Sequence, residues 1–182
     1  MRHALRTSGF AIALTAMALV AAPRPAAAQS PSIQAELLKD WTALKDTMDK
    51  LANAMPEDKY TLKPTPAQQS FGERVIHVAT VNVGLMRLLG GQATAPTIDA
   101  KATTKAAAIK SLNDSFDYGI ALIKEQGDQT IMMAVANPPG FIGPSSRARI
   151  VYTLLGHTWD IYGQLAVYLR LGGGVPPASQ RP

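Results

Sequence analysis

The sequence predicts an all-α protein, a four-helix bundle of about 150 residues behind an export leader. Three observations carry the prediction. Apolar residues recur at three- and four-residue spacing in four separate segments, and each segment stops at proline or glycine. The third is the N-terminus, which has the three parts of a secretory signal in order.

That leader occupies residues 1–28. Arg2 and Arg6 give a positive start, Phe10 to Ala22 is an apolar stretch, and Ala26-Ala27-Ala28 supplies small residues for cleavage before Gln29. A transmembrane anchor needs ~20 apolar residues, and Pro23, Arg24 and Pro25 end this one too early. The expectation is a periplasmic or secreted protein with no stable membrane anchor after cleavage.

Removing 28 of the 182 residues leaves 154, enough for one domain (29–182) with a full core. The leader holds three of the 18 Lys+Arg, so 15 remain against 13 Asp+Glu, a net charge of +2. No basic stripe of the kind that binds phosphate backbones is left, and nucleic acid is not an expected partner. The chain has no cysteine. Disulfides, thiol nucleophiles and sulfur ligands to metal are therefore excluded.

The first helix should run from about Ile33 to Ala54, with Leu37, Trp41, Leu44, Met48 and Leu51 on its apolar face and Pro56 ending it. Three prolines make residues 56–69 an irregular connection. Ser70 and Glu73 then have the spacing of a capping box at the start of a second helix, which reaches about Leu89 before Gly90-Gly91. Its core positions are Phe71, Val78, Leu85 and Leu89.

A third helix is expected over Thr103 to Gln126, buried through Ile109, Leu112, Phe116, Ile120 and Ile123, with Gly127 as its stop. Residues 128–145, centred on Asn137-Pro138-Pro139-Gly140, read as a long loop, either functional or a simple link. The fourth helix should cover Ser146 to Leu171, and the tail from Val175 should be only partly ordered. Four such helices make a bundle. The long connections before the second and fourth permit crossovers, and periodicity alone leaves the topology open.

Beyond the leader's His3, the chain has two histidines. On helical wheels His77 lies near Val81 and Leu88, and His157 near Ile150, Leu154, Ile161 and Tyr168, so both should point inward. Bundle interiors are where metal sites are built from facing helices. A lone inward histidine is also an ordinary hydrogen-bonding core residue. Tyr60, Trp159, Tyr162 and Tyr168 read as packing or surface aromatics. Met48, Met86, Met132 and Met133 read as fillers of the apolar interior.

The run from His157 through Tyr162-Gly163-Gln164-Leu165 and Tyr168-Leu169-Arg170 to the Pro176-Pro177 tail resembles the last helix of the DinB/YfiT-like superfamily. Met55 to Tyr60, Lys63-Pro64-Thr65 and Ser70 to His77 resemble its first connection and second helix. That resemblance implies a four-helix bundle, often dimeric, holding zinc or nickel on three histidines. One comes from the second helix and two from a His-x-x-x-His turn on the fourth. Some members are hydrolases, and others are transferases working with low-molecular-weight thiols.

Carried over by position, His77 and His157 match the first two ligands, and the third falls on Ile161, which cannot coordinate. Catalytic zinc normally has three protein ligands. Asp160 and Glu73 are the substitutes by spacing, with a solvated Asp160 and a capping Glu73 as the plainer readings.

Two functional expectations follow. One is a non-catalytic or weakly metal-binding module with a degenerate site, taking a small-molecule ligand or a second copy of the chain as partner. The other is a divalent-metal-dependent hydrolase or transferase using His77, His157 and an unassigned third ligand. Ile161 favours the first, and export, which removes the protein from cytoplasmic thiols, argues against the transferase activity.

Overall fold

Helix formation follows the capping residues closely. The computed structural model describes residues 32–180, so the leader expected at 1–28 lies outside the described residues. Ser32, Ser70, Thr104 and Ser146 each accept a backbone N–H from the first turn of the helix they precede. The helices are α1 (Ile33–Ala54), α2 (Phe71–Met86), α3 (Lys105–Lys124), the short α4 (Asp128–Ile131) and α5 (Arg147–Leu171). A 3₁₀ turn, Arg87–Leu89, extends α2. Gly90, at φ 66°, ends it in a conformation that only glycine adopts without strain. Among the described residues there is no β-strand, only an isolated bridge between Ala134 and Ser146.

Four long helices close into a bundle in which α1 packs on α3 and α5, and α2 packs on the same two. Their directions follow from cross-links. Trp41 Nε1 donates to Phe116 O at 3.0 Å and Asn113 donates to Asp49 at 2.8 Å, while Lys105 Nζ donates to Met55 O at 2.7 Å, so α1 and α3 run antiparallel. Asn82 reaches Ser115 and Gln126 reaches Gly90 O, so α2 and α3 run parallel. His77 meets His157 and Tyr168 OH donates to Gln69 O, so α2 and α5 run antiparallel.

The order is therefore up, down, down, up. Both the α1–α2 and the α3–α5 connections cross the bundle diagonally, and residues 90–104 return along its length to start α3. This is the use the two long connections have.

The core is one contiguous cluster in which Trp41, Met48, Phe71, Met86, Phe116 and Leu154 are fully buried. Each such side chain contributes on the order of 1.5–3 kcal/mol by leaving water. Leu85, Ile109 and Ile120, expected in the core, lie half-buried at its margin. They sit at the edges of arcs whose centres are held by Asn82, Ser115 and Gly119. Met132 and Met133 correct the sequence reading. They are 58% and 54% exposed, because α4 is a single turn that buries only Ile131. The C-terminal tail is docked: a 3₁₀ turn at Pro177–Ser179 lies against α1, and Arg170 donates to Ser179.

Candidate functional site

His77 and His157 face each other across the α2–α5 seam. α2 begins at the Ser70 capping box, in which Ser70 Oγ accepts from Glu73 N and Glu73 Oε2 accepts from Ser70 N at 2.6 Å. Two turns on, that phase directs His77 at α5. There the periodicity that buries Leu154, Ile161 and Leu165 places His157 at the edge of the same face.

The two Nε2 atoms are 3.2 Å apart, with ring centroids at 5.2 Å and planes inclined by 57°. One imidazole donates to the other. Burial lowers both pKa values from the usual histidine range. At His77 the positive charge of Arg74 lowers the value further; at His157 the neighbouring His77 does so, Asp160 pulls the other way, and Arg74 adds the smallest lowering. Both shifts favour the neutral ring.

The second nitrogen of His157, Nδ1, is buried and has no hydrogen-bond partner among the described residues. An N–H is costlier to orphan than a lone pair. The proton of His157 therefore belongs on Nε2, donating to Nε2 of His77, which then carries its own proton on Nδ1. His77 borders an open depression of about 290 Å³, lined also by Gln69, Glu73, Ile76, Thr80 and Ala100.

The other candidates fall elsewhere. Ile161 is 2% exposed and belongs to the core. Asp160 is exposed and accepts a hydrogen bond from Gln164 at 2.9 Å, in keeping with its plainer reading. Glu73 is held by its cap and by Lys63 at 3.4 Å, and these bonds lower its carboxyl pKa. Among the described residues no group of three or more His, Asp or Glu side chains is placed to share one ion.

Residues 40–165 match the model of the DinB superfamily. This chain belongs to the DinB superfamily. Its bundle is similar to the crystal structure of a DinB-like protein from Bacillus cereus ATCC 10987, with a TM-score of 0.70 at 17% identity, over 80% of this chain and 96% of that one. A DinB-like protein from Bacillus subtilis is also similar, with a TM-score of 0.61 at 15% identity, over 80% of this chain and 99% of that one. At these identities the likeness is one of fold. No curated protein sequence matches the chain.

For a DinB-superfamily bundle the question is whether these side chains fit a metal. Two ring nitrogens at 3.2 Å would subtend roughly 100° at an ion 2.0–2.1 Å from each, so the first pair of donors fits. The rest of the set does not. A metal-bound histidine almost always donates its other N–H to a carbonyl, carboxylate or water, and Nδ1 of His157 has no such protein partner. Among the described residues no third His, Asp or Glu is grouped with the pair: Asp160 is exposed and bonded to Gln164, Glu73 is held in its cap, and Ile161 has no donor to offer. The residues present do not compose the three-histidine centre.

Sequence reading missed Arg74, which lies on α2 one turn before His77. Its Nε is buried without a hydrogen-bond partner, and its guanidinium is absent from the ion pairs of the described residues. The i, i+3 spacing to His77 was visible in the sequence, but the lack of an anionic partner was not.

Proposed function

We propose that the chain is an exported DinB-superfamily bundle in which the histidine pair serves a non-catalytic, at most weakly metal-binding module for a small ligand. The carrying observation is the donor set: two neutral imidazoles bonded to each other, with a buried isoleucine on the turn where a third ligand is needed. The leader pattern at residues 1–28 supports export, and export separates the site from the thiol co-substrates of cytoplasm.

The second reading, a divalent-metal-dependent hydrolase or transferase with an unassigned third ligand, is favoured by one observation, the 3.2 Å spacing of the Nε2 atoms. Metal analysis of the purified mature protein separates the two. The module reading expects no stoichiometric zinc or nickel and no thermal shift on adding either, because an ion that binds only the folded state must raise its stability. Near-stoichiometric metal that disappears in His157→Ala overturns it. Export is checked separately by cell fractionation and by N-terminal sequencing, with Gln29 as the expected first residue.

A further inference from the structure

We infer that the α2–α5 seam beside the histidine pair is an oxyanion site, in which the Arg74 guanidinium holds the carboxylate or phosphoryl group of a small ligand and the imidazoles line its flank. This rests on the module reading above and names the ligand class that such a module would take.

The argument begins with a charge that lacks a partner. Arg74 is partly buried, its Nε makes no hydrogen bond, and no described carboxylate lies within ion-pair distance of it. Burying a guanidinium nitrogen without a partner is costly, and such a group in a folded protein calls for an explanation. Its forked N–H groups match a carboxylate or phosphate with two parallel hydrogen bonds.

Geometry places the histidines beside it. Arg74 and His77 are neighbours on one helix face, and His157 closes the seam from α5 at 3.2 Å from His77. Arg74's charge is felt by both rings. At His157 the opposing charge of Asp160 outweighs that of Arg74, whereas at His77 Arg74 is the one charge that acts. Glu73 is held by Ser70 and Lys63, and Asp160 lies exposed on the outer side of α5 with Gln164. Arg74 is thus the one cation beside the pair without an acidic partner of its own within ion-pair distance among the described residues, and it is the group that an anion would meet. The depression beside His77 is lined by neither Arg74 nor His157, so a ligand held by Arg74 would reach it only past the His77 ring.

The test uses metal-free mature protein and three probes at matched ionic strength: acetate, inorganic phosphate and chloride. The readout is the imidazole NMR signals of His77 and His157, together with melting temperature. Acetate or phosphate should move the histidine signals saturably while chloride does not, and the tighter of the two identifies the headgroup. At a hundredfold excess over Kd the melting temperature should rise by roughly 5–10 °C.

Arg74→Gln should weaken binding by roughly 10- to 100-fold, and Arg74→Lys should keep part of it. Each variant is compared with and without anion, so a change in its own stability does not obscure the result. Equal saturable shifts in wild type and Arg74→Gln, or none in wild type, overturn the oxyanion site. Protein that is metal-free but indifferent to anions sinks this inference alone, whereas stoichiometric metal on His157 sinks the module reading.

Discussion

Nε2 of His77 and Nε2 of His157 stand 3.2 Å apart across the α2–α5 seam, and both rings have pKa values pushed below the ordinary histidine range, chiefly by burial. The pair is stable as a neutral hydrogen bond. Protonating either ring places a cation against its neighbour and near Arg74.

This fixes the sign of a pH dependence. In the unfolded chain each histidine takes up a proton near pH 6.5, while in the folded chain it does so only at lower pH. Between those points the unfolded state binds more protons, so stability is greatest above about pH 6.5 and falls as pH drops through the window. Urea midpoints measured from pH 7.5 to 5 should decline in the wild type. The decline should be visibly flatter in His157→Gln. Parallel slopes in the two proteins would remove the pair from the explanation. Asp128 and Glu73, whose pKa values are lowered by hydrogen bonds, act below their ordinary values near 4 and leave this window clear.

Glycines on two helices make opposite predictions. A Cβ built on Gly119 would lie 2.6 Å from Trp41 Nε1, the indole that donates to Phe116 O. Trp41 is fully buried and cannot move aside. Gly119→Ala should therefore cost about 1–3 kcal/mol through overpacking. Gly156, exposed in the middle of α5, has nothing within 4 Å of its would-be Cβ. Gly156→Ala should stabilise by about 0.5–1 kcal/mol through helix propensity. Denaturant titration of both variants reads the difference, and the signs matter more than the sizes.

Glu73 gives a prediction that separates its two readings. As a capping-box partner it is replaceable by glutamine, whose side chain still accepts from Ser70 N. Glu73→Gln should change stability little, apart from losing the contact to exposed Lys63. Ser70→Ala, which removes the acceptor for Glu73 N, should cost about 1 kcal/mol. Thermal melts with and without zinc check both. A zinc response in wild type that Glu73→Gln abolishes would make Glu73 a ligand instead.

The helices were legible in the sequence because apolar spacing and Ser/Thr caps are local signals, and Ser70 with Glu73 marks the start of α2 to the residue. The up, down, down, up order was not legible. Periodicity says which face of a helix is apolar, not which neighbour covers it, and only links such as Trp41 to Phe116 decide that. Met132 and Met133 were misplaced for a related reason: a run of apolar residues too short to form a full turn pair cannot bury all of its members. His77 and His157 were readable as inward-facing. Their direct bond, the orphaned Nδ1 and the unpaired Arg74 were not, because each depends on what the opposite helix does or does not present.

Ile161 carries the last prediction. It lies one turn after His157 on the same helix and is 2% exposed, the spacing at which two side chains of a helix share one face. Ile161→His adds one imidazole on that face without altering the other two. If two donors at 3.2 Å are held in place and only the third is missing, the variant should acquire near-stoichiometric zinc. At a hundredfold excess of free zinc over Kd, its melting temperature should rise by roughly 5–10 °C. The replacement introduces a polar group into a packed position, so the metal-free variant should melt below wild type, and zinc should recover the loss. Adding His157→Ala to the variant should abolish the zinc response. A variant that folds but ignores zinc would show that the α5 face at 161 does not converge on the histidine pair. Backbone geometry, and not the side chain at 161 alone, would then keep a third ligand from the pair.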